Sequence, residues 1–170
     1  MKLDLCQDLV TLGDMPPATF FIDQKHRGST FGMSMIDGGG NPGAILFTRA
    51  VTEGDAYPCL VSEAFLQNSA LLPLPDAYLV PDLSAASLAK PTTTDLEGPG
   101  EIILSGDKRF FRCTIKREGF RYVDIESGNF SGEADEGNSI HIRMWKVMNI
   151  LAVGTVREIF AFDGPTPIKL

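Results

Sequence analysis

The chain has 170 residues, 44% of them apolar and 22% charged, with a net charge of −7. That length suits a single core, the composition is too apolar for a disordered chain, and the acidic balance repels nucleic-acid backbones. No apolar run approaches the roughly 20 residues of a membrane helix, so neither nucleic acid nor membrane is an expected partner.

The opening stretch, Met1 to Asp14, scatters acids among its apolar residues and does not read as a secretion signal. Cys6, Cys59 and Cys113 are odd in number and widely spaced, which predicts reduced thiols and a cytoplasmic location. Next comes Asp23-Gln-Lys-His-Arg-Gly28, which gathers an acid, an imidazole and two cations before a strand. Asp23, His26 and Arg27 are the candidates for binding a small anionic ligand, since a guanidinium grips carboxylate or phosphate and imidazole titrates near neutrality. The competing reading is a polar turn.

Ser29 to Ile36 alternates, with Phe31, Met33 and Met35 on one side and Thr30, Gly32 and Ser34 on the other. This predicts a strand. The glycines at 38, 40 and 43 spell G-x-G-x-x-G, the pattern of a dinucleotide-binding turn. Such a turn needs a helix after it, and Gly43 to Val51 carries no helical stripe. The stretch Asp37–Gly43 is therefore expected to be a hairpin loop, and no cofactor is implied.

Six of the eleven prolines lie between Pro58 and Pro99, so residues 52–100 read as an irregular, proline-rich excursion. One or two short helices are expected in it: Ser84–Lys90, capped by Asp82 or Ser84 and stopped by Pro91, and more weakly Ser62–Leu72. The excursion serves either as a lid or as a structural insertion.

Glu101 to Ser127 predicts a three-stranded meander. In its last hairpin, a three-residue loop Arg117-Glu118-Gly119 pairs Cys113 with Val123, Phe111 with Ile125 and Arg112 with Asp124. One face then holds Phe111, Cys113, Ile115, Val123 and Ile125, and Gly119 takes a left-handed conformation. The other face carries Phe110, Arg112, Phe120 and Tyr122, aromatic and Arg side chains of the kind that interfaces concentrate. The acidic loop after it, with Asp124, Glu126, Glu133, Asp135 and Glu136, lacks the order of a calcium-binding loop, and no metal site is assigned. Residues 140–153 fit strand or helix spacing; β-branched and aromatic neighbours favour strand, followed by a last strand in Val156–Phe162.

The expected fold is thus mainly β: a single-domain antiparallel barrel or sandwich with one or two short helices in the middle insertion. No catalytic residue is assigned. The leading functional reading is a non-catalytic domain that acts through protein contacts or self-association. The alternatives are a β-barrel holding a small apolar or anionic ligand, and a small enzyme using Asp23 and His26 or His141.

Overall fold

The computed structural model describes residues 8–23, 30–48, 58–85, 87–89, 99–115, 119–131, 134, 139–151 and 154–164. The alternating segments form strands. After a 3-10 turn at Leu12–Asp14 come β1 (Phe20–Asp23), β2 (Thr30–Ile36), β3 (Pro42–Leu46) and β4 (Cys59–Ser62). A one-turn helix α1 (Glu63–Leu66) leads into β5 (Leu71–Leu74), β6 (Ala77–Pro81) and β7 (Leu88–Ala89). The meander supplies β8 (Ile102–Ser105), β9 (Lys108–Ile115) and β10 (Gly119–Asp124), followed by the short β11 (Phe130–Ser131). The chain continues through β12 (Ile140–Ile142), β13 (Trp145–Ile150) and β14 (Val156–Phe162). Residues 140–142 and 145–150 are therefore strand, as their β-branched and aromatic character indicates.

Two sheets result. The larger runs β5-β1-β2-β3-β4-β9-β8-β12-β7, with β10 and β11 continuing from β9; the smaller is β14-β13-β6. Among the described residues the named strands pair antiparallel except β4 with β9, which meet in parallel at Cys59 and Thr114; an isolated parallel bridge also joins Ile36 to Asn129. The large sheet is consequently mixed. No helix among the described residues is long and apolar enough to cross a membrane.

Period-2 alternation determines what each face buries. Phe31, Met33 and Met35 point into the main core, where they meet Phe111, Cys113 and Val123 from the meander and Trp145, Val147 and Phe162 from the small sheet. An aromatic cluster forms its centre: Phe47 lies 5.1 Å from Phe111 and 5.2 Å from Trp145, with Phe111 and Trp145 5.1 Å apart. The opposite face of β1 to β3 is covered as well. There Phe21, Ala44 and Leu46 pack with Leu12, Met15, Leu66 and Leu71. Gly32 faces that second cluster, and a Cβ there would come within 2.6 Å of the Phe21 ring.

The glycine-rich stretch joins β2 to β3, strand to antiparallel strand. Asp37 organises the loop: its Oδ1 accepts hydrogen bonds from the backbone N–H of Gly39 and of Asn41, both at 2.8 Å. Those bonds, with the Asn41 backbone contributing most, hold its carboxyl below the ordinary aspartate range.

Three expectations need correction. Within the described part of residues 52–100, β4 to β7 stand where an irregular excursion is expected. Their prolines fit since Pro73 lies in β5, at the end of the large sheet, and Pro81 closes β6, at the margin of the small one, where a missing N–H costs no ladder bond. The helix expected at Ser84–Lys90 is a single turn: Ser87 and Leu88 both donate to the Ser84 carbonyl, and Leu88–Ala89 then pairs with β12. The helix expected at Ser62–Leu72 stops at Leu66 because Leu71–Leu74 is drawn into the sheet beside β1.

The third correction is the hairpin register. Ile115 pairs with Gly119, Cys113 with Arg121, Arg112 with Tyr122 and Phe111 with Val123, two residues away from the expected alignment. The Asp124 carboxylate caps a turn, accepting from the N–H of Glu126 at 3.0 Å and of Ser127 at 2.8 Å, and β10 ends at Asp124, with the Ile125 N–H still donating to the Arg109 carbonyl at 2.9 Å. A two-residue slip preserves parity, and each side chain keeps its expected face. Gly119 has φ +88°, the left-handed conformation expected of it. Residues 116–118 lie outside the described residues.

Candidate functional site

Asp23 ends β1 and is buried, its Oδ2 accepting a 2.8 Å hydrogen bond from the Ser69 hydroxyl. His26 and Arg27 lie outside the described residues. On the hairpin, Phe110 and Arg112 are buried, while Phe120 and Tyr122 are half-buried. The four side chains do meet. The Arg112 guanidinium stands 4.1 Å from the Phe120 ring centre, and the Phe110 and Tyr122 rings meet edge-on at 6.5 Å.

Beneath that face lies a residue the sequence did not single out. Glu101 precedes β8 and is completely buried. Gly100 before it has φ +104°, and a Cβ there would run into the Phe162 ring, so only glycine fits. The Gly100 carbonyl accepts a 2.7 Å hydrogen bond from the Trp145 indole, and its N–H donates to the Arg112 carbonyl at 2.7 Å. The core thereby fixes the backbone that presents the carboxylate.

Three donors from two strands converge on it. His141 Nδ1 lies 2.9 Å and Arg112 Nη1 3.5 Å from Glu101 Oε2, with Arg143 Nε 3.3 Å from Oε1. Ser139 Oγ is 3.0 Å from His141 Nε2, on the far side of the ring. Ser139 and Arg143 flank β12 and share by alternation the side of His141, whereas Ile142 enters the main core. A carboxylate only accepts, so Nδ1 carries the proton on that side; in the neutral ring Nε2 then accepts from the Ser139 hydroxyl.

Glu101 gave little advance notice in the sequence. Its partners lie 11, 40 and 42 residues away. The one available sign was alternation of Ser139, His141 and Arg143 against Ile140 and Ile142.

Two further features lie on the surface. A groove of about 310 Å³ opens between the β2–β3 loop and the meander, lined mostly by apolar side chains including Met35, Leu60, Val61, Ile115 and Phe130. The second feature is the outer face of the small sheet. Register places Met148 between Tyr78 and Glu158, Val80 opposite Lys146, and Ile150 opposite Val156, all pointing away from Trp145 and Val147. Tyr78, Val80, Ile150 and Val156 are exposed, and Met148 is half-buried. A 2.8 Å pair, Lys146 Nζ with Glu158 Oε2, crosses this face.

No protein family, no curated protein and no solved structure matches the chain.

Proposed function

We propose that this chain is a binding or assembly domain that acts through protein contacts, with a second copy of itself docking on the outer face of the small sheet. The observation that carries this reading is the row of exposed apolar side chains Tyr78, Val80, Ile150 and Val156 across three adjacent strands. Scattered surface apolar residues need no explanation, but a contiguous patch favours a partner. A twofold interface requires a patch complementary to itself, and this one carries both signs, so Lys146 of one copy can meet Glu158 of the other.

The contact is face to face. Among the described residues β14 pairs only with β13, yet its edge resists extension. Antiparallel pairing of two β14 strands about residue 157 or 158 would set Arg157 against Arg157 or Glu158 against Glu158, which is destabilising. A register shift between Val147 and Met148 further distorts that edge.

Area sets the strength. Three strands about 4.8 Å apart and about 20 Å long offer roughly 300 Å². A stable interface needs about 800 Å² from each partner, so this contact is reversible and weak. Each copy also carries a charge of −7, and the mutual repulsion is screened by salt. Association should therefore strengthen as salt rises, opposite to the behaviour expected with a basic partner. We also read the two sheets as the layers of a sandwich, on the strength of the core they share. The test is sedimentation of wild type beside a Tyr78→Ser, Ile150→Ser double variant.

The groove supports a second reading, in which a small apolar ligand lies against Met35, Ile115 and Phe130. Its volume suits such a ligand. Blocking it with Ser62→Trp should abolish any ligand-dependent rise in melting temperature without affecting self-association.

A further inference from the structure

The Ser139–His141–Glu101 row lies apart from both surfaces and supports a chemistry of its own. A hydroxyl bonded to the acceptor nitrogen of a neutral imidazole, whose other nitrogen is held by a buried carboxylate, is the resting arrangement of an activated serine nucleophile. Both distances, 3.0 Å and 2.9 Å, are those of proton-transfer partners. The carboxylate is rigidly placed, since Gly100 before it is fixed by Trp145 and by the Arg112 backbone. Ser139, at 8% exposure, is the most accessible of the three, while His141 and Glu101 are wholly enclosed.

We propose that Ser139 is an acyl-accepting nucleophile, with His141 as its base and Glu101 as the residue that orients the imidazole, acting on small esters. Ser139 Oγ attacks the ester carbonyl carbon as its proton passes to His141 Nε2. The carbon–oxygen bond to the leaving group then breaks, and the departing alkoxide takes the proton from Nε2. This yields an alcohol and acyl-Ser139. Water repeats the sequence: it gives a proton to Nε2, attacks the acyl carbon and releases a carboxylic acid, and Ser139 Oγ recovers the proton. The sum is one ester and one water to one acid and one alcohol. At 8% exposure Ser139 has room for only a short acyl group. Arg112 and Arg143 also contact Glu101 and hold its carboxylate in place beside His141.

The experiment uses the full chain with p-nitrophenyl acetate and with a fluorophosphonate, read by intact mass and peptide mapping. Wild type should acquire one adduct, on Ser139, and release a burst of p-nitrophenolate matching the protein concentration. Ser139→Ala, which removes only a hydroxyl, should take no adduct. His141→Gln, checked for native circular dichroism, should slow labelling by at least about 100-fold. A structural hydrogen-bond row would leave wild type unlabelled at Ser139, and that result overturns the proposal. Labelling of Ser139 that persists at the wild-type rate in folded His141→Gln overturns it equally. The wild-type measurement is decisive even if the histidine variant fails to fold.

Discussion

Replacing Glu101 with Gln keeps the side chain's shape and removes its charge, and the consequence follows from the charges left behind. The Arg112 side chain is only 9% exposed and loses its carboxylate partner, whereas Arg143, at 36%, can turn toward water. Breaking a buried ion pair by removing one partner costs about 3–5 kcal/mol, chiefly from the stranded charge. The partly exposed Arg143 adds at most about 1 kcal/mol. Gln also offers an amide where His141 Nδ1–H needs an acceptor, so one hydrogen bond survives only if the amide oxygen takes that place. A total near 4 kcal/mol is a large fraction of the stability of a domain this size. Urea unfolding followed by circular dichroism should show the midpoint falling with an unchanged slope. Adding Arg112→Met removes the stranded cation and should recover about half of the loss, a coupling that independent sites would not show. Glu126→Gln is the control. Its partner Arg109 lies at 3.5 Å with both side chains more than 60% exposed, so it should cost under about 0.5 kcal/mol. If Glu101→Gln lies within 1 kcal/mol of wild type, or Arg112→Met gives no relief, the convergence on Glu101 does not stabilise the fold as reasoned.

Other outcomes follow from the same structure. Phe111→Ala, in the centre of the aromatic cluster, should cost about 3–5 kcal/mol in urea unfolding, while Phe65→Ala, 44% exposed, should cost little. Burial pushes the Cys113 thiol well above its usual value, so iodoacetamide at pH 8 should modify Cys59 before Cys113 and reach Cys113 only after unfolding. Because that folded value is raised for a group whose charged form is the thiolate, the enclosed thiol also lowers stability as pH climbs above 9.0, and Cys113→Ala should lose less in that range. Asp37 shows the opposite sign. Its folded value is depressed, so its contribution is present above the ordinary value of 3.8 and is lost as pH falls through the lower folded value. Wild type should melt higher than Asp37→Asn at pH 6, with the gap closing below about pH 3.8.

Strand identity was legible wherever one face carried an uninterrupted apolar alternation. Phe31, Met33 and Met35, and likewise Phe111 and Cys113, lie in the core that their spacing implied. Register was legible only to parity, because a two-residue slip buries the same side chains and the Asp124 turn decides between the alternatives. The prolines misled for a physical reason. Pro73 and Pro81 sit in strands that end their sheets, where the missing N–H is no handicap, so these two prolines did not mark irregular chain. Among the chemical groups, Arg112 and His141 were visible as residue types of interest, but their meeting point was not. A buried Glu101 is tolerable only because three distant donors arrive around it, and no local pattern announces an encounter across 40 residues.

Sedimentation equilibrium across protein concentration at two ionic strengths tests the central claim most directly. Wild type should show a reversible monomer–dimer equilibrium that tightens as salt is raised, and the Tyr78→Ser, Ile150→Ser variant should remain monomeric with an unchanged circular dichroism spectrum. A wild type that stays monomeric at every concentration and salt, or a dimer that survives those two substitutions, would contradict assembly through the outer face of β6, β13 and β14.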